Sequence, residues 1–482
     1  MPTLARHATR QRAASDIAMQ VTVRVANLAL GVFVTALLVR SLGTTEYGEW
    51  GTTLLVLGLV AYFTNFGFEG VALREAAKDP DAEHEWIGAV ILMRLLLLVP
   101  VMSACAIVLL LLPHTEDMLI AGAILIVAMP FGGMGALGLL FQLRVDNRVP
   151  MLVMTLRSLL WTAAVVLIHK NGGGIVAFAA GLVITNLIGS AVNIVFALKL
   201  APRWPRPNRK HLRQLGKVAL PIGLSGLLVI AYARIDGVLV YAIGGAHEAG
   251  LYNAVYNVLD QSHFVPISIL TTLAPVLAAS WPADPQRLLR TSRRIVELLS
   301  LVSFGGLAVA IVASEPLVKL VFGAEFADAA PALPVLGGAF VLICYGYLNG
   351  NLMLVLNLQN RLLRISLIAL VINLIGNAIT IPLFGFMGAA WMTLATEAVV
   401  LAQTTRLLVA RLGTTEFGFG RVARTAIAAV LLGLVLGGER LADAPLGVII
   451  ATACVLYPAL LFALKAVSLE DLRALRSEGA LV

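Results

Sequence analysis

Charge is what this sequence has least of. Only 13% of its 482 residues are Asp, Glu, Lys or Arg, against about 25% in an average soluble domain. With 59% hydrophobic residues and a mean hydropathy of +0.92, that scarcity excludes a string of ordinary soluble domains. Cysteine is scarce too. Cys105, Cys344 and Cys454 all lie inside hydrophobic runs, at spacings that suit neither zinc nor a redox pair. They read as small packing residues. No G-x-x-x-x-G-K-[ST] occurs, because Gly216-Lys217 is followed by Val218 and lacks the upstream glycine. ATP is therefore not expected as the direct energy source, and no cofactor is expected. There is no HExxH, no zinc cluster, no nucleophile elbow and no sizeable soluble stretch to hold an active site, so an enzyme is not expected. A cleavable signal peptide is not expected either: MPTLARHATRQRAASD is basic and polar, and the first apolar run is too long for an h-region.

What is there in abundance is hydrophobic runs of about 20 residues, the length that crosses a bilayer as a helix. About fourteen recur between residues 17 and 466, which predicts an all-α polytopic membrane protein. The Lys and Arg residues set its orientation. With the N-terminus inside, 26 of the 35 fall on the cytoplasmic side and four (Arg40, Lys170, Lys319 and Arg440) outside. Lys199 lies at an inner edge and four arginines are embedded. That bias places both termini in the cytoplasm. It also accounts for the net charge of +8 through contact with anionic inner-leaflet lipid rather than nucleic acid.

The longest polar break near the middle, APRWPRPNRKHLRQLG, is rich in proline and basic residues and reads as a semi-rigid linker. It divides the chain into an N-terminal lobe of six helices (1–200), a basic cytoplasmic linker (201–216), a C-terminal lobe of six helices (217–410), and an extra helix pair with a cytoplasmic tail (411–482). Gly43, Glu46, Gly48 and Trp50 match Gly245, Glu248, Gly250 and Tyr252 at an offset of 202, one helix corner in each half, as in a parallel repeat. A second echo, LGTTEYG at 42–48 and LGTTEFG at 412–418, falls on opposite sides of the membrane in this topology and reads as coincidence. RLLRTSRRIVELL (287–299) has an apolar face and an arginine face and is expected to begin as an interfacial helix, with an ordinary basic loop as the alternative. Glu315 to Ala330 is expected to be an external or re-entrant excursion.

The stretch Tyr232–Gln261 places Arg234 and Asp236 well inside an apolar helix, then breaks at Gly244-Gly245 and restarts at Gly250. Charges at membrane depth are seldom left facing lipid, so an internal, watery cavity between helices is expected.

Four segments in order resemble the Wzx-type oligosaccharide flippases of the multidrug/oligosaccharidyl-lipid/polysaccharide superfamily. RSLGTTEYGEWGTTLLVLGLVAYFTNFGFEGVALREAA (40–77) looks like their first helix corner. RIDGVLVYAIGGAHEAGLYNAVYNVL (234–259) is similar to the seventh–eighth corner. VFGAEFADAAPALPVL (321–336) resembles the external segment after the ninth helix. INLIGNAITIPLFGFMGAAWMTLATEAV (372–399) resembles the eleventh–twelfth hairpin. The resemblance covers roughly residues 17–410. It implies two pseudo-symmetric six-helix lobes around a central cavity, with the C-terminal pair appended. It also implies alternating access, and as substrate a polyprenyl-pyrophosphate-linked oligosaccharide moved from the inner to the outer leaflet of the bacterial cytoplasmic (inner) membrane. Polymerase and glycosyltransferases of the same cell-surface polysaccharide pathway are possible partners. The alternative is an ion-coupled exporter of drugs or small amphiphiles from the same superfamily.

Such a substrate asks for cations that keep their charge without water, which suits arginine. Arg24 and Arg234, on the first helix of each lobe, are expected to bind the pyrophosphate. Arg94 and Arg157 are secondary cationic candidates, with snorkelling or pairing within the lobe as the alternative. Asp236 lies one turn beyond Tyr232, which is placed to hold its carboxylate. Glu69, Asp260 and Glu397 are candidate sites of coupling to a proton or sodium gradient or the membrane potential, or else charge partners for an arginine. Asn253, Asn257, Asp260 and Gln261 share one helical stripe, which lines either a cavity or a helix interface; Asn253, Asn257 and Asp260, with Tyr232 and Asp236, are candidate substrate-binding residues beside the two arginines. His263 reads as a proton shuttle or as a hydrogen-bonded structural residue. Pro130 with Gly132, Gly133, Gly135 and Gly138 permits close packing or a kink in the fourth span.

Overall fold

A computed structural model describes residues 2–144, 148–200, 204–413 and 419–468, with the side chains of 2–26, 28, 132–134, 222 and 419 outside that description. Every regular element among the described residues is helical. The physical reason is that hydrocarbon offers backbone N–H and C=O groups no partner, and a helix satisfies them within the segment.

Among the described residues eleven helices are long and apolar enough to cross a membrane, or up to twelve if one bent pair is a single span. The expected count of about fourteen differs from this for a definite reason. The first and second expected spans run on as one helical stretch, Ala29–Lys78, and the seventh and eighth as another, Gly223–Ser280. Stretches of 50 and 58 residues would be about 75 Å or more if straight, over twice the hydrocarbon thickness. Each is interrupted instead by a glycine far from helical geometry, Gly43 (φ 66°, ψ −175°) and Gly245 (φ 88°, ψ 178°). The bent pair is the fourth expected span. Glu116–Phe131 and Gly135–Leu143 meet at 47°, with Pro130 and the glycines at the break. A Cβ at Gly138 would meet nothing within 4 Å, so close packing does not require that glycine.

The chain forms two compact units, Gln11–Gly250 and Leu251–Val482 together with Met1–Arg10. In the first unit, Phe68, Trp86, Leu139, Leu140, Phe141 and Leu215 form a buried core beneath three connections. The two glycine corners of this unit meet reciprocally. A Cβ on Gly48 would lie 1.9 Å from the Ala246 carbonyl oxygen, and one on Gly250 would lie 1.8 Å from the Thr44 carbonyl oxygen. The two glycines are 202 residues apart, as are the two residues whose carbonyls they face, and 202 is the offset found in the sequence. The His247 ring Nδ1 and the Thr44 hydroxyl, 2.9 Å apart, add a polar contact at the same place.

In the second unit the helix Ala332–Val355 packs against Pro285–Phe322 and Phe386–Leu412. Pro285–Phe322 includes the expected interfacial segment and runs on past Glu315, with a break at Ala313. The expected excursion thus begins only at Gly323 and contains the short 3-10 helix Ala324–Ala329, whose Phe326 is fully buried. Pro316 is tolerated where it is because the break at Ala313 lets the helix restart, and the first turn needs no proline N–H. The appended pair, Phe419–Leu441 and Leu446–Ala463, is fastened along Pro285–Phe322. Arg421 pairs with Glu297 at 3.1 Å and Arg440 with Glu315 at 3.2 Å. Between them the Tyr457 ring lies over Gly305 and its hydroxyl donates to the Leu301 carbonyl at 2.8 Å.

Candidate functional site

In the first unit one enclosed charge pair lies where a helix breaks. Pro2–Asn65 ends at Asn65, Phe66 (φ 33°) and Gly67 (φ 78°) adopt positive φ, and a new helix, Phe68–Lys78, begins. Glu69 sits in its first turn, where a carboxylate is favoured by the helix dipole. The break aims both Asn65 and Glu69 at Arg94, on the helix Glu83–Leu111. The Arg94 Nη2 donates to Glu69 Oε1 at 2.7 Å and to Asn65 Oδ1 at 2.9 Å. Arg94 is 7% exposed. Phe66, Phe63, Tyr62 and Phe68 form an aromatic group around the break. The helix Arg209–Ser262 approaches it through Gly223 and Gly226, where a Cβ would strike the Phe66 ring at 2.2 Å and the Tyr62 hydroxyl at 1.9 Å.

Tyr232, Arg234 and Asp236 lie on that same long helix, before its break at Gly245. Asp236 is 2% exposed, and its Oδ1 accepts from the Gly237 N–H at 2.8 Å. Tyr232 and Arg234 are half-buried. All three make further interactions. Arg157 is exposed, on Arg148–Lys170; it crosses Gly189 and its Nη2 donates to Asn186 Oδ1. The Arg24 side chain lies outside the described residues.

In the second unit Asn253, Asn257, Asp260, Gln261 and His263 are all half-buried. His263 stands at the joint between Arg209–Ser262 and Phe264–Ser280, and its N–H donates to the Asp260 carbonyl at 3.2 Å. Its ring stacks on Phe340 at 6.5 Å and meets Tyr347 edge-on at 5.9 Å. Glu397 is half-buried on Phe386–Leu412.

Sequence reasoning missed several buried polar groups here. Asn349 Nδ2 donates to the Thr404 and Thr405 hydroxyls at 3.0 and 2.9 Å. Asn377 Nδ2 donates to Asn373 Oδ1 at 2.9 Å, both asparagines being buried. The Tyr252 hydroxyl meets that of Thr393 at 3.2 Å. The signal for the asparagine pair was in the sequence, as two amides one turn apart in an apolar run. The others require knowing which helices pack together.

Long apolar helices that enclose an arginine, carboxylates and amides mark a multi-pass membrane protein. The family described as "Polysaccharide biosynthesis protein" matches residues 13–281, more than half of the chain, and the chain belongs to that family. A curated relative, the "Probable low-salt glycan biosynthesis flippase Agl15" of Haloferax volcanii, is 23% identical over 370 residues, spanning 75% of this chain and 76% of that protein. Among solved structures, the chain is similar to "Lipid II flippase MurJ, inward closed conformation" with a TM-score of 0.72 at 12% identity, covering 91% of this chain and 97% of that one. A multidrug resistance MATE family transporter of the MOP superfamily, in its inward-facing conformation, gives 0.63 at 16% identity over 82% of this chain and 96% of that one. The two structures show the fold.

Proposed function

We propose that this protein is a lipid-linked saccharide flippase. It carries a polyprenyl-pyrophosphate-linked oligosaccharide from the inner to the outer leaflet by alternating access, for cell-surface polysaccharide biosynthesis. The observation that carries this reading is the match to a glycan-biosynthesis flippase along three quarters of both chains, joined to a family of polysaccharide biosynthesis proteins. The alternative, an ion-coupled exporter of drugs or small amphiphiles, is supported by the shared fold alone, at 16% identity.

Arg24 and Arg234 bind the pyrophosphate in this proposal. Arg94 is a weaker candidate, since Glu69 and Asn65 already occupy one edge of its guanidinium. Glu69, Asp260 and Glu397 remain the proposed points of coupling to a proton or sodium gradient or to the membrane potential. The protein works in the cytoplasmic membrane with both termini inside, beside the polymerase and glycosyltransferases of its pathway.

The test is binding of an undecaprenyl-pyrophosphate saccharide to purified protein, for the wild type, Arg24→Ala and Arg234→Ala. The reading predicts binding by the wild type and a loss of at least about tenfold in each variant, as a charge-assisted contact to phosphate requires. Undiminished binding in both variants would remove the proposed site. A folded wild type that fails to bind would favour the exporter.

A further inference from the structure

The basic linker is not a loose spacer. The Glu85 carboxylate and the His84 carbonyl, at the start of the helix Glu83–Leu111, hold it down. The Arg206 N–H donates to the His84 carbonyl at 3.1 Å. Gly88 admits that backbone, since a Cβ there would lie 2.4 Å from the Arg206 carbonyl carbon. Asn208 does two things at once. Its Oδ1 caps the helix that begins at Arg209 by accepting from the Lys210 N–H at 3.0 Å, and its Nδ2 donates to Glu85 Oε2 at 2.5 Å. His211 Nδ1 lies 2.8 Å from the same Glu85 oxygen, with its ring against Trp86 at 4.5 Å. Glu83 pairs with Arg144 at 3.0 Å, which ties in a third connection. Three connections thus lie together on one face of the first unit.

The clasp determines what faces outward. Between Trp204 and Lys217 the chain has five cations (Arg206, Arg209, Lys210, Arg213 and Lys217) and no acid. All five are exposed, while Leu215 on the opposite side of the same turn is fully buried. Trp204 is 66% exposed beside them. A large aromatic ring next to a row of cations is the composition found at the headgroup level of a bilayer. Asp79 and Asp81 are exposed acids on the neighbouring turn, so the positive surface is the linker itself rather than the whole face.

We propose that residues 204–217 are a docking surface for the anionic headgroups of membrane phospholipid, with Trp204 at the interface and the five cations presented by the Glu85 clasp. The surface reads negative charge at the bilayer and needs no substrate. It does not rest on the flippase reading, and either can fail without the other.

The experiment is native mass spectrometry of the full chain, purified in detergent and offered equal amounts of phosphatidylglycerol and phosphatidylcholine. Thermal melting serves as the folding control. The wild type retains phosphatidylglycerol preferentially. The exposed triple variant Arg209→Gln/Lys210→Gln/Arg213→Gln melts as the wild type does and loses the preference by on the order of tenfold or more, in keeping with the contribution of each cation near an anionic surface. Glu85→Gln separates presentation from net charge. It removes a negative charge, so charge alone predicts stronger retention, whereas loss of the clasp predicts weaker. Should Glu85→Gln not fold, the triple variant decides. No lipid preference in the wild type, an unchanged preference in the triple variant, or stronger retention in Glu85→Gln would each overturn the proposal. Displacement of the bound lipid by free inorganic pyrophosphate would overturn it in favour of a diphosphate headgroup as the occupant.

Discussion

At the scale of the residue, Arg94 shows what a charge in an apolar helix requires. Its guanidinium is held by one carboxylate and one amide, and removing it strands Glu69 beside an aromatic group. Breaking a buried pair costs about 3–5 kcal/mol. The Glu69 side chain is 34% exposed, so water screens part of the loss. Arg94→Ala is therefore expected to destabilise by about 2–3 kcal/mol, below the range for a fully buried pair. Arg94→Met/Glu69→Leu is expected to recover much of that loss, because no orphaned charge remains. Thermal melting of the three proteins in one detergent checks this; a double variant no better than Arg94→Ala would refute it. Both charges were legible in the sequence as embedded groups, and pairing was among the readings offered for each. What could not be read was the partner. It depends on the positive φ of Phe66 and Gly67, and Phe66 is not a residue whose type signals left-handed backbone.

At the scale of the element, the glycine corners decide the path of the two longest helices. Gly48 and Gly250 face carbonyl oxygens at under 2 Å from an added Cβ, and backbone cannot step aside as a side chain can. Gly48→Ala and Gly250→Ala are each expected to cost more than the roughly 1–3 kcal/mol of ordinary overpacking. Gly245→Ala meets no atom within 4 Å and suffers only for its backbone, by about 1–3 kcal/mol. Gly58, exposed and with nothing within 4 Å, is the control: Gly58→Ala should be neutral or stabilising by up to about 1 kcal/mol. Melting temperatures that fail to fall in that order would contradict the steric account. These corners were the most legible part of the fold. The repeated glycine spacing in the two halves marked both of them, although the reciprocal contact needed coordinates.

The appended pair tests the same scale differently. Tyr457→Phe keeps the ring over Gly305 and removes only the hydrogen bond to Leu301, so a loss of about 1 kcal/mol is expected. Tyr457→Ala also removes the ring packing and should cost about 3–5 kcal/mol. Equal effects would mean that the pair is not fastened through this side chain. The expected excursion at Glu315–Ala330 was misread because Glu315, Pro316 and Lys319 look like a polar break, whereas Glu315 pairs with both Lys319 and Arg440 and the helix runs on to Phe322.

At the scale of the whole molecule, composition alone made the membrane class legible, and the four ordered motifs led to the family to which the chain belongs. The span count was less legible, because hydropathy sees the apolar runs and not whether helical hydrogen bonding continues between them. The polar residues inside the units, such as Asn349 with its two threonines, were hidden for a related reason. Single amides in an apolar run carry no mark of which neighbouring helix will meet them.

The measurement that tests the central claim most directly is leaflet transfer in sealed vesicles. Purified protein would be reconstituted with a polyprenyl-pyrophosphate oligosaccharide, and the fraction of sugar reached by an impermeant glycosidase followed over time. The account predicts that vesicles with the wild type expose sugar beyond the half initially outside, and that Arg234→Ala vesicles do so more slowly by an order of magnitude or more. Wild-type vesicles in which the inner half stays protected, with the protein folded and an ion gradient applied, would contradict it.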